Sequence, residues 1–127
     1  MDLHKAVAGM LDWRLLRPAY YTTFPSGWDK MTPAMAGRLK GCGLKKGMPD
    51  ILVFHGGRTV GIELKVPNGA GPTAAQRETH SNLHAAGIKV FVCRSVDAVI
   101  ETLLSEGFPI RPDRGFTSYA ADAPIHI

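Results

Sequence analysis

The chain has 127 residues, 45% hydrophobic and 20% charged, with 15 Lys+Arg against 11 Asp+Glu, the composition of one ordinary globular domain that needs no disulfide or metal to build a core. No apolar run is long enough to span a bilayer, and residues 1–13 lack the basic start and apolar stretch of a secretory signal, so a cytoplasmic protein without a membrane segment is expected. The charge is uneven: residues 3–77 carry eleven basic and four acidic side chains, whereas residues 78–127 are net acidic, an asymmetry that fits a phosphate-bearing partner for the first part of the chain.

Leu3, Val7, Met10 and Leu11 recur at helical spacing and predict an amphipathic helix over residues 3–16, ended by Arg17-Pro18. The aromatic and β-branched run from Tyr20 to Phe24 reads as a strand. Thr32-Pro33 is a cap with proline at the first helical position, opening a short helix that runs to about Lys40. A glycine-rich loop follows. The segments 50–54 and 60–66 flank Gly56-Gly57 and give the clearest hairpin signal in the chain. Thr73-Ala74-Ala75-Gln76 matches a capping box and starts a helix that stops at Gly87. Residues 88–93 form an apolar strand, and Ser95 caps a last helix ending at Gly107.

The order predicts an α/β fold: a single domain over residues 1–107, in which a mixed four-stranded sheet combines an antiparallel hairpin with a parallel crossover and is flanked by helices. Residues 108–127, interrupted by Pro109, Pro112 and Pro124, are expected as a C-terminal tail. Cys42 and Cys93 stand in unrelated contexts and are expected as two buried or half-buried thiols.

A two-residue Gly56-Gly57 loop pairs His55 with Arg58 and sets Asp50 opposite Glu63, with Lys65 on the same face two residues on. Two facing carboxylates raise each other's pKa unless a cation relieves them. Mg²⁺, with Mn²⁺ as substitute, meets that need through Asp50, Glu63 and a backbone carbonyl such as that of Leu64. The alternative is a surface ion pair made by Lys65. On the repulsion argument, replacing either acid with alanine should leave folding intact.

Gly47-Met48-Pro49-Asp50 followed by Gly61-Ile62-Glu63-Leu64-Lys65 resembles the split PD-(D/E)xK signature of the restriction-endonuclease-like superfamily. Within it the chain is most similar to the VRR-NUC (virus-type replication-repair nuclease) domain. Arg38-Leu39-Lys40, the glycine-rich stretch 41–47, Gln76, Leu83 and residues 87–90 carry that likeness over roughly residues 3–104. The resemblance implies a restriction-endonuclease-like fold, Asp50 and Glu63 as metal ligands, Lys65 as the group that positions water and stabilises charge, and Gln76 as an accessory residue. Gln76 fits equally well as a capping residue. The family's acidic residue in the first helix has no clear counterpart, Asp2 and Asp12 being the candidates.

Arg38, Lys40, Lys45 and Lys46 would hold the DNA backbone, or form a solvated loop. His80 and His84 have the i, i+4 spacing of zinc ligands, without further ligands nearby. His55 is expected to be exposed at the hairpin turn, and Tyr20, Tyr21 and Trp28 are candidates for stacking on bases. The resemblance implies a Mg²⁺-dependent endonuclease that hydrolyses phosphodiester bonds in branched or junction DNA, such as a Holliday junction, in DNA replication, repair or recombination. A homodimer in a bacterial cell or phage-infected host is the implied setting. The alternative is a catalytically inactive DNA-binding module of the same fold.

Overall fold

The computed structural model describes residues 2–24 and 31–112. Helix α1 (Leu3–Arg14) starts at Asp2, whose side chain accepts the N–H groups of His4 and Lys5, and it turns Val7 and Leu11 into the core. Strand β1 (Tyr20–Thr23) follows, then helix α2 (Pro33–Gly41), capped by Thr32 with proline in its first turn. Strands β2 (Ile51–His55) and β3 (Arg58–Leu64) form the hairpin. Helix α3 (Ala74–Ala85), strand β4 (Lys89–Cys93) and helix α4 (Val96–Ser105), capped by Ser95, complete the domain.

The sheet order is β1-β2-β3-β4. Strands β1 and β2 are antiparallel, β2 and β3 are antiparallel, and β3 and β4 are parallel, as a strand–helix–strand crossover requires. The fold is thus the expected mixed four-stranded α/β domain. In the hairpin Ile51 pairs with Ile62, Val53 with Val60 and His55 with Arg58, the register of a two-residue turn in which Gly56 and Gly57 both adopt positive φ.

Alternation divides the sheet. Ile51, Val53, Val60, Ile62, Leu64 and Cys93 share one buried cluster with Val7 and Leu11 of α1 and Val99 and Leu103 of α4. Each fully buried aliphatic side chain of this kind is worth about 1.5–3 kcal/mol, which makes this face the stabilising one. Glu63, offset by one residue from Ile62 and Leu64, points to the other face, where α3 lies.

Three expectations change on packing. Phe108 and Ile110 belong to the core, 3% and 8% exposed, and Leu15 forms a β-bridge with Ile110. The packed domain therefore extends past residue 107. Of the expected tail, residues 113–127 lie outside the described residues, as does Trp28. His55 is half-buried, because its ring leans on Phe108 with centroids 6.0 Å apart. Cys93 is buried as expected, but Cys42, at the end of α2, is exposed, and both are free thiols. No helix among the described residues is long and apolar enough to cross a membrane.

Candidate active site

The end of the hairpin away from its turn gathers side chains from four elements. Regular pairing stops at Ile51–Ile62, because Pro49 has no N–H with which to continue the ladder. Asp50 takes over: its Oδ2 accepts the Leu64 N–H at 2.7 Å, while its own backbone carbonyl accepts from Phe24 beside β1. The carboxylate is therefore fixed by the sheet that it terminates.

Glu63 is 2% exposed and is the buried charged residue among the described residues. Its Oε2 accepts from Gln76 Nε2 at 2.9 Å and lies 3.6 Å from Lys65 Nζ. Its Oε1 is buried and has no hydrogen-bond partner. Burial first, then the charge of Asp50, push the Glu63 pKa up to about 7, with Lys65 pulling the other way. The two acids that the register sets opposite each other are thus close enough for Asp50 to act on the Glu63 carboxyl.

Gln76 closes the cap and also reaches the two charged side chains. Its Oε1 accepts from Thr73 N at 2.9 Å, closing the capping box of α3, and from Lys65 Nζ at 2.8 Å. One carboxamide thereby joins the helix start, the lysine and the glutamate. His80, one helical turn after Gln76, lies on the same face. Its Nε2 is buried, without a hydrogen-bond partner, 3.7 Å from Glu63 Oε1. Burial, and then the Lys65 charge, lower the His80 pKa below its ordinary value, so the ring is favoured in its neutral form. Sequence reading considers His80 only together with His84, and the signal that places it here is its i+4 relation to Gln76. Helix α1 contributes His4, whose Nε2 lies 3.3 Å from Asp50 Oδ1.

Neither acidic candidate of the first helix enters the site. Asp2 is spent on capping α1, and Asp12 accepts the Tyr21 hydroxyl at 2.6 Å. That contact also settles Tyr21 against α1, while Tyr20 stays 71% exposed. Among the described residues no three His, Cys, Asp or Glu side chains form a ready metal cage, so no further ligand of that kind completes a site around His80 and His84.

The basic loop is pinned beside the site. Thr79 Oγ1 donates to the Lys46 carbonyl at 2.6 Å, and Gly47, at φ +87°, packs so tightly that a Cβ there would sit 2.5 Å from the Ala75 carbonyl oxygen. Only glycine tolerates both conditions. Arg38, Lys40, Lys45 and Lys46 are all exposed, and no ion pair links them to carboxylates among the described residues. Arg94 secures the loop between Lys65 and α3, its guanidinium donating to the carbonyls of Val66, Gly69 and Ala70.

No protein-family model matches the sequence, and no curated protein matches it. Among solved structures the chain is similar to a "VRR_NUC domain protein", with a TM-score of 0.62 and 20% identity over 82% of this chain and 86% of that one. The element order, the hairpin register and this likeness agree, and the chain has the fold of a VRR_NUC domain.

Proposed function

We propose that the chain is a divalent-metal-dependent DNA nuclease that hydrolyses phosphodiester bonds with Asp50, Glu63 and Lys65 at its centre. The observation that carries this reading is the buried Glu63 carboxyl set between the Asp50 charge and Lys65, with one buried oxygen, Glu63 Oε1, left without a partner. A buried carboxylate oxygen without a partner, beside the charge of a second carboxylate, is a cost that a cation removes. The donor set therefore fits a small divalent ion, with Asp50, Glu63 and the Leu64 carbonyl as the residues that would hold it. Such an ion, when bound, lowers the pKa of a water and polarises a phosphoryl oxygen.

The remaining work falls to the chain's own residues. Leu64 N–H fixes the orientation of Asp50, and Gln76 fixes that of Glu63 and Lys65 together. Lys65, with its side chain 18% exposed, offers an ammonium to the scissile phosphate and the attacking water. Lys45 and Lys46, with Arg38 and Lys40 on the last turn of α2, lie on the loop that docks against α3 and would hold the DNA backbone. Branched DNA as substrate and a homodimer as working form are carried over from the VRR-NUC resemblance, since two sites are needed to cut both strands of a junction.

Incubation with plasmid and with synthetic four-way junctions tests the reading. Cleavage in Mg²⁺ or Mn²⁺, lost in chelator and in Asp50→Asn, is expected. Equal cleavage in chelator, or none with either ion on any DNA, would overturn it and leave a DNA-binding module.

A further inference from the structure

Each carboxylate of the pair has one oxygen fastened and one facing an imidazole. Asp50 Oδ2 is taken by Leu64 N–H, and its Oδ1 faces His4 Nε2 at 3.3 Å. Glu63 Oε2 is taken by Gln76 and neighbours Lys65, and its Oε1 faces His80 Nε2 at 3.7 Å. The oxygens free to bind a cation are therefore the two that have histidine nitrogens beside them. Two elements on opposite faces of the sheet, α1 and α3, supply these nitrogens, and neither ring is committed elsewhere through its Nε2. Glu63 Oε1 and His80 Nε2 are both buried and unpartnered, an arrangement that is costly unless something between them is shared.

We infer that His4 and His80 make this a mixed nitrogen–oxygen site for a first-row transition-metal ion in preference to Mg²⁺, with at least one imidazole drawn in to bind directly, since among the described residues no three of these side chains already form a cage. The inference rests on the metal-site reading above and deepens it by naming the class of ion. Neighbouring ligands on a small divalent ion with bonds of about 2.1 Å lie roughly 3 Å apart. The His4–Asp50 separation is close to that value, and the His80–Glu63 separation needs only a small adjustment to reach it. Imidazole nitrogen contributes little to Mg²⁺, which takes oxygen ligands and keeps its waters, whereas transition ions gain from it.

Mn²⁺ is the probe, since it binds oxygen and nitrogen alike and is paramagnetic. Pulsed electron paramagnetic resonance on the full chain with one equivalent of MnCl₂ should show electron spin-echo modulation from a coordinated histidine nitrogen. That modulation should vanish in His4→Ala/His80→Ala. By calorimetry the double variant should bind Mn²⁺ at least about tenfold more weakly, with Mg²⁺ affinity changed less than about twofold. Mn²⁺ binding that is lost in Asp50→Asn but shows no nitrogen modulation, and is unchanged in the histidine variant, would overturn this inference and spare the metal-site reading. No Mn²⁺ binding, or binding that survives Asp50→Asn, would overturn both. The wild-type spectrum decides the matter even if the double variant fails to fold.

Discussion

The Asp50 carboxylate substitutes for a strand, its Oδ2 accepting the Leu64 N–H at 2.7 Å where the β2–β3 ladder has run out of backbone partners. The two acids are consequently unequal in the fold. The expectation that either can be replaced by alanine without harm overlooks this bond. Asp50→Ala leaves a partly buried N–H without its acceptor and should cost about 1–3 kcal/mol. Asp50→Asn keeps an acceptor oxygen and should stay within about 1 kcal/mol of the parent. Urea denaturation of the two variants in chelator checks this, with a larger loss for the alanine variant as the expected order.

Glu63 gives the metal-free protein an unusual pH dependence. Its carboxyl holds a proton up to about pH 7 in the folded state, against an ordinary value of 4.5. Between those values the folded chain binds more protons than the unfolded one, so the stability contributed by this group is present below about pH 4.5 and is lost as pH rises to about 7. The loss is of order 1–3 kcal/mol. His80, with its lowered pKa, acts in the opposite sense below pH 6.5, so the comparison of wild type with Glu63→Gln isolates the glutamate. Melting curves in chelator from pH 4.5 to 8 should show Glu63→Gln gaining relative stability as pH rises. A parallel pair of curves would contradict the shift.

Gln76 serves the helix cap and the site through the same oxygen. Thr73→Ala removes the cap alone, and Gln76→Ala removes both functions. Each should lower stability by about 1 kcal/mol. Only Gln76→Ala should reduce cleavage strongly, by about 100-fold, because Lys65 and Glu63 lose their common tether. Steady-state cleavage rates set beside melting temperatures separate the two effects.

Lys45 and Lys46 sit on a loop that Thr79 and Gly47 hold against α3. Replacing both with glutamine should weaken binding to every DNA tested and reduce the log–log salt slope by about 1.8, the value of two phosphate contacts. Fluorescence anisotropy at several salt concentrations measures it. An unchanged slope would place the loop away from DNA.

Phe108 and Ile110 make the C-terminal boundary testable. A chain ending at residue 107 loses two buried core side chains, whereas one ending at residue 112 keeps them. The shorter chain should be destabilised by at least about 3 kcal/mol, or fail to fold, with the longer one retaining cooperative unfolding. Circular dichroism melts of the two truncations decide between a packed and a dispensable segment.

Local sequence signals are enough to set the elements, the mixed sheet and the hairpin register. Helix caps at Thr32, Thr73 and Ser95, a Gly-Gly turn and two-residue alternation are local signals, and local geometry is enough to set Asp50 opposite Glu63 and Lys65 on their face. The same signals could not say what reaches that face from elsewhere. His4 and His80 lie far from the hairpin in the chain and meet it only because α1 and α3 pack on opposite sides of the sheet. Gln76 reads in the sequence as either a cap or a site residue, and only the approach of Lys65 lets one oxygen accept from both the helix start and the lysine. Phe108 and Ile110 stand among prolines with no periodic pattern to mark them, and they are buried because the body of the domain leaves them a place, through Leu15 of α1's end and Arg58 of the hairpin. Periodicity records which face of its own element a residue occupies; which neighbour covers that face is fixed by long-range packing, which no single segment encodes.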